Sequence, residues 1–165
     1  MLMAFASIGL TLWVTWQLEG GAAAVNEAGR MRMQTWRMAQ TLARADAQQI
    51  AGLAAQFDQS VSVLRTGDPA RPLLVPHDGE SQQAFAAVQR DWFELKARWT
   101  ASPGPGAELS AQQADAFVAR IDTFVSAIEH HLSRLTAVLN AVQFVMVALT
   151  IGSAIALLYS AWLFI

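Results

Sequence analysis

Two uncharged apolar runs, one at each end, limit the folds open to this chain. No charged residue occurs from Met1 to Leu18, and none from Leu135 to Ile165. A hydrocarbon core of ~30 Å takes about 20 apolar residues in a helix. The second run meets that length with residues to spare, and the first is at the short end. Every Lys and Arg lies between Arg30 and Arg134, and every Asp and Glu between Glu19 and Glu129. The expected layout is a transmembrane helix over 1–18, a polar block over 19–134, and a second transmembrane helix over 135–165 that continues the block's last helix. A cleaved leader would need a basic segment before its apolar one. None precedes Arg30, although Gly20-Gly21-Ala22-Ala23 imitates a cleavage site.

Composition narrows the function classes. The 165 residues carry 11 Lys and Arg against 13 Asp and Glu, a net charge of −2. Only 15% are charged, against about 25% in soluble domains. The absence of cysteine removes disulfides, thiolate metal sites and a cysteine nucleophile. A net charge near zero gives no support for nucleic-acid binding. Two-span proteins carry Lys or Arg on their cytoplasmic flanks, and neither end does so here. Both ends are therefore expected to be trimmed, with an effector after Ile165. The ends are expected in the cytoplasm and the polar block outside.

The block reads as four helices. In the first, two seams of spacing three and four lie side by side. One is Leu18, Ala22, Val25, Gly29, Arg32, Trp36, Ala39, Ala43; the other is Gly21, Ala24, Ala28, Met31, Thr35, Met38, Leu42, Ala45. Together they predict a broad apolar face with more than one packing partner. The second helix carries Ile50, Leu53, Phe57, Val61 and Leu64 and stops at Thr66-Gly67-Asp68-Pro69. The third carries Phe85, Val88, Trp92, Leu95 and Trp99 and ends at the turn 101–106, rich in Pro and Gly. The fourth is expected to open at Ser110-Ala111-Gln112-Gln113, a capping-box pattern. It repeats Phe117, Ile121, Phe124, Ile128, His131, Leu135 and Val138. No segment alternates with period two. The fold class is all-α: an antiparallel up-down four-helix bundle continuous with two transmembrane helices.

Arg30, Arg37 and Arg44 recur every seven residues, a solvated stripe, with Glu27 placed to pair with Arg30. Arg32 points about 200° away from Arg30 and falls in an apolar seam. It needs a partner or water, because burying an unpaired charge is costly. One candidate is an acid of the fourth helix, Asp115 or Asp122. The other is an anion, which a planar guanidinium suits. If the helix packs on its copy in a homodimer, two Arg32 groups face each other, and one small anion between them relieves their repulsion. Gly29, one turn earlier, leaves backbone within reach of that ligand. His130 and His131 are adjacent and do not make a helical metal pair. His131 reads as partly buried packing, and His77 stands in a loop. Trp13, Trp16 and Trp162 read as interfacial anchors. No catalytic, metal or cofactor site is expected.

The segment Val25-Asn26-Glu27-Ala28-Gly29-Arg30-Met31-Arg32-Met33-Gln34-Thr35-Trp36-Arg37 resembles the P-box of nitrate/nitrite sensor histidine kinases of the NarX/NarQ type. Residues 115–125 resemble that family's second box. The run Phe57-Asp58-Gln59-Ser60-Val61, followed by Leu64, Gly67-Asp68-Pro69 and Arg71-Pro72-Leu73, is similar to those sensors and to pilus-chemotaxis transducer N-terminal domains. The resemblance implies nitrate or nitrite bound at the dimer interface by Arg32 and backbone near Gly29. It implies signalling by a lengthwise helix shift, with the sensor in the periplasm and its spans in the bacterial inner membrane. A kinase with its ATP, reporting to a response regulator, would lie in a cytoplasmic part outside this sequence. Thr35 stands where the family commonly has Ser. The alternative is the ligand-binding domain of a methyl-accepting chemotaxis or pilus-signalling transducer.

Overall fold

The computed structural model describes residues 2–44, 46–101 and 106–163. Four helices account for nearly all of them: α1 over Leu2–Leu42, α2 over Ala47–Thr66, α3 over Gly79–Thr100 and α4 over Ala107–Leu163. The described residues form no strand, only an isolated bridge between Asp68 and Arg71. The expected turn residues Ser102, Pro103, Gly104 and Pro105, and the seam residue Ala45, lie outside the described residues. The chain divides into two compact units, one of Trp16–Leu132 and one of Met1–Thr15 with Ser133–Ile165.

Trp16–Leu132 is a helical bundle around a single core. Phe57 of α2, Trp92 of α3 and Phe117 of α4 form an aromatic layer, with ring centroids 4.0 Å apart for Phe57–Trp92 and 5.6 Å for Phe57–Phe117. Phe85 and Phe124 form the next contact at 5.3 Å. The indoles enter the core with their N–H groups satisfied, as burial requires. Trp92 Nε1 donates to Asp58 Oδ1 at 2.8 Å and Trp99 Nε1 to Gln113 Oε1 at 2.7 Å. Contact order along the helices fixes their direction. Phe85 meets Phe124 while Trp99 meets Gln113, so α3 and α4 run antiparallel. Arg32 bonds Asp122 while the Gly21 backbone abuts Leu132, so α1 and α4 do so too.

The periodicities of α2 and α3 hold: Ile50, Leu53, Phe57, Leu64, Phe85, Val88, Trp92, Leu95 and Trp99 are all buried, and Val61 is half-buried. Asp46 caps α2 through Gln49 N–H, and Asp78 caps α3 through Ser81 N–H. The α4 start is corrected. The helix opens at Ala107, so Ser110 lies inside its first turns, where its N–H donates to Gly106 O.

The face of α1 is also corrected. The seam of Gly21, Ala24, Ala28, Met31, Thr35, Met38 and Leu42 is buried throughout, but the seam through Gly29, Arg32 and Trp36 is not. Instead the core extends the other way, to Gly20, Glu27, Gln34 and Thr41. With Met31 at the centre and about 100° per residue, Gln34 lies about 60° to one side and Arg32 about 100° to the other. Arg32 is thus a rim residue.

The second unit holds the apolar runs. α4 is the helix, among the described residues, long and apolar enough to cross a membrane. Beyond Val138 most of its large side chains are exposed, including Phe144, Ile155, Leu158 and Trp162. Among the described residues α1 does not reach that composition, although Phe5, Ile8 and Leu12 are exposed.

Candidate functional site

Arg32 sits three residues after Gly29 on the rim of α1. Its Nη1 donates to Asp122 Oδ1 at 2.8 Å, and its Nη2 lies 3.8 Å from where a Cβ on Gly29 would stand. The guanidinium folds back over the bare Gly29 backbone while it reaches α4. The two side chains are 41% and 51% exposed. One of the two candidate acids is therefore the partner within the chain, and the other, Asp115, is exposed. The Arg32–Asp122 bond also joins the two sequence segments that resemble the sensor boxes.

Around it the charge pattern differs from the periodicity. Arg30, Arg37 and Arg44 are exposed as expected. Glu27, however, is only 3% exposed and belongs to a network. Its Oε2 accepts from Arg30 Nη1 at 3.5 Å and from Arg71 Nη2 at 3.2 Å. Arg71 Nε in turn donates to Asp68 Oδ2 at 2.9 Å. The Asp68 carboxyl is held below its usual range by the Ala70 N–H and then by Arg71. This network ties the α2–α3 loop to α1. The loop is further seated by Leu74 N–H on Gly20 O at 3.4 Å and by buried Leu73, Val75 and Pro76. Gly67, with φ 81°, turns the chain from α2 into it, a conformation that favours glycine.

Sequence spacing could not find Arg71, because its partner is 44 residues away. His131 is half-buried and His130 is exposed, and each lies beside an acid that the spacing does not reveal. His131 Nδ1 is 3.1 Å from Asp78 Oδ1, and His130 Nδ1 is 3.6 Å from Glu80 Oε2. His77 is exposed in the loop. The described residues contain no group of three or more His, Cys, Asp or Glu placed to hold a metal.

A concavity of the bundle lies against the α2–α3 loop. It is a cleft of about 950 Å³ between that loop, the start of α3 and Trp16. Its lining includes Gln82, Gln89, Arg65, Arg71 and Phe85. A smaller groove between α3 and α4 is bridged by Arg120 Nε on Asp91 Oδ2 at 2.8 Å.

The described residues thus form a helical bundle from which the long helix α4 continues. No curated protein matches the chain. A family match does cover residues 13–124, most of α1, all of α2 and α3, and α4 to Phe124. The chain belongs to the PilJ family, the N-terminal region of type IV pili methyl-accepting chemotaxis transducers.

Proposed function

We propose that this chain is the ligand-sensing and signal-transmitting region of a chemotaxis or pilus-signalling transducer. It works as a homodimer in the bacterial inner membrane, with the bundle on the periplasmic side. The observation that carries this reading is the family match across 13–124. The alternative output, a histidine kinase, now ranks second. The two outputs are separated by the parent gene after Ile165. A long methyl-accepting coiled coil is expected; a kinase phosphoacceptor helix would overturn the transducer reading. The signal step is a lengthwise shift of α1 against α4. A ligand can drive it only through a difference in affinity between two states.

One observation keeps a nitrate or nitrite site at Arg32 and Gly29 as a second reading. The guanidinium is half-exposed, lies over backbone with no side chain, and is held by an acid that is itself half-exposed. Exposed ion pairs contribute only about 0–1 kcal/mol, so an anion can compete with Asp122. Calorimetric titration of the solubilised dimer with nitrate, with chloride and sulfate as controls, tests this. Saturable nitrate binding is expected, lost in Arg32→Ala and tightened several-fold in Asp122→Asn, where the competing charge is gone. Nitrate heats indistinguishable from chloride in a verified dimer would reduce Arg32 to an intrachain ion pair.

A further inference from the structure

We propose that the cleft under the α2–α3 loop is a binding site for small organic carboxylates, distinct from the rim at Arg32. Its volume of about 950 Å³ is at the upper end of ordinary ligand pockets, which run from about 300 to 1,000 Å³. Its surface combines two properties. The floor is apolar, built from Leu64, Leu73, Val75 and Phe85 with Trp16 at the edge. Its polar lining includes two guanidiniums, those of Arg65 and Arg71. Arg65 is exposed and makes no bond to another described residue. Arg71 spends Nε on Asp68 and Nη2 on Glu27, which leaves Nη1 open. His77 adds another ring on the same lining. Asp68 is the one acid among the lining residues, and both of its oxygens are committed, to Ala70 N–H at 2.9 Å and to Arg71 Nε at 2.9 Å. An apolar floor beneath the unpaired guanidinium of Arg65 and the open Nη1 of Arg71 fits a carboxylate carried on a hydrophobic body, since Arg recognises carboxylates by charge-assisted bonds.

The position gives binding a consequence. Arg71 is both a wall of the cleft and the partner of Glu27, a nearly fully buried acid of α1. A carboxylate that draws Arg71 toward itself weakens that hold, and a buried acid that loses a partner is strongly disfavoured. Occupancy of the cleft is thereby felt by α1. This consequence rests on the sensor reading; binding itself does not.

Benzoate is the probe, titrated calorimetrically into the full chain in nanodiscs, with empty nanodiscs subtracted. Benzyl alcohol serves as the uncharged control. Saturable benzoate binding is expected, about ten-fold weaker in Arg65→Gln and in Arg71→Gln, the loss of one charge-assisted bond. Benzyl alcohol should not saturate. Arg65 is exposed and unpaired with any described residue, so its variant keeps the fold and carries the test if Arg71→Gln does not. No saturable benzoate binding, or equal affinity in wild type and Arg65→Gln, overturns the proposal. In a chimera with a methyl-accepting output domain, binding without any change of output would keep the site and remove the sensor reading.

Discussion

At the residue scale, Asp78 shows how one side chain serves two elements. It caps α3 through Oδ2, and its Oδ1 is buried 3.1 Å from His131 of α4. Burial works to raise its carboxyl, but the Ser81 N–H and the neighbouring imidazole outweigh that and hold it below the usual range. The sign follows from linkage. A carboxyl lowered in the folded state stabilises above its unfolded pKa of about 3.9 and ceases to do so as pH falls through the folded value. Denaturant melts followed by circular dichroism should therefore show a loss of stability below about pH 4 that is shallower in Asp78→Asn. Asn keeps the cap, whereas Asp78→Ala should cost about 1 kcal/mol at neutral pH. Identical acid limbs in wild type and Asp78→Asn would assign the acid sensitivity to other carboxylates. The sequence showed an acid three residues before a serine, but not the histidine 53 positions on that completes the site.

At the scale of elements, α2 and α3 were legible because their buried faces are apolar at spacings of three and four. α1 was legible in one of its two seams only, because the other part of its buried arc is polar: Glu27, Gln34 and Thr41. The threonines satisfy themselves within the helix, Thr35 on Met31 O at 2.9 Å and Thr41 on Arg37 O at 2.8 Å. Such bonds leave no trace in a hydropathy pattern. Arg32 was legible as the odd residue of its seam, yet its place on the rim depends on which seam the other helices cover. Glycines separate packing from propensity. A Cβ on Gly21 would stand 2.6 Å from Leu132 Cδ2 and 3.1 Å from its Cγ, whereas one on Gly52 of α2 meets nothing within 4 Å. Gly21→Ala should destabilise by about 1–3 kcal/mol through overpacking. Gly52→Ala should stabilise by about 0.5–1 kcal/mol, because Ala loses less backbone freedom in a helix. Equal shifts in the two midpoints would mean that α1 and α4 do not approach closely at Gly21.

At the scale of the molecule, the long helix is the feature with a functional consequence. α4 runs without interruption over 57 residues, from the bundle's Phe117 and Ile121 into the apolar run after Arg134. A helix transmits a displacement along its axis only while its hydrogen-bond ladder is intact. Proline breaks that ladder by removing a donor and clashing with the carbonyl four residues back, at a cost of about 3 kcal/mol. Ser133 is exposed and is the first residue beyond Trp16–Leu132. Its substitution should spare the bundle core, whose last buried residue on α4 is Ile128. In a chimera with a methyl-accepting output domain, Ser133→Pro is expected to retain effector binding and lose the change in output, while Ser133→Ala retains both. The contrast rests on the ladder, since neither variant alters the charge or the buried surface of the bundle. A proline variant with an undiminished response would show that α4 is not the conduit and move the signal to α1.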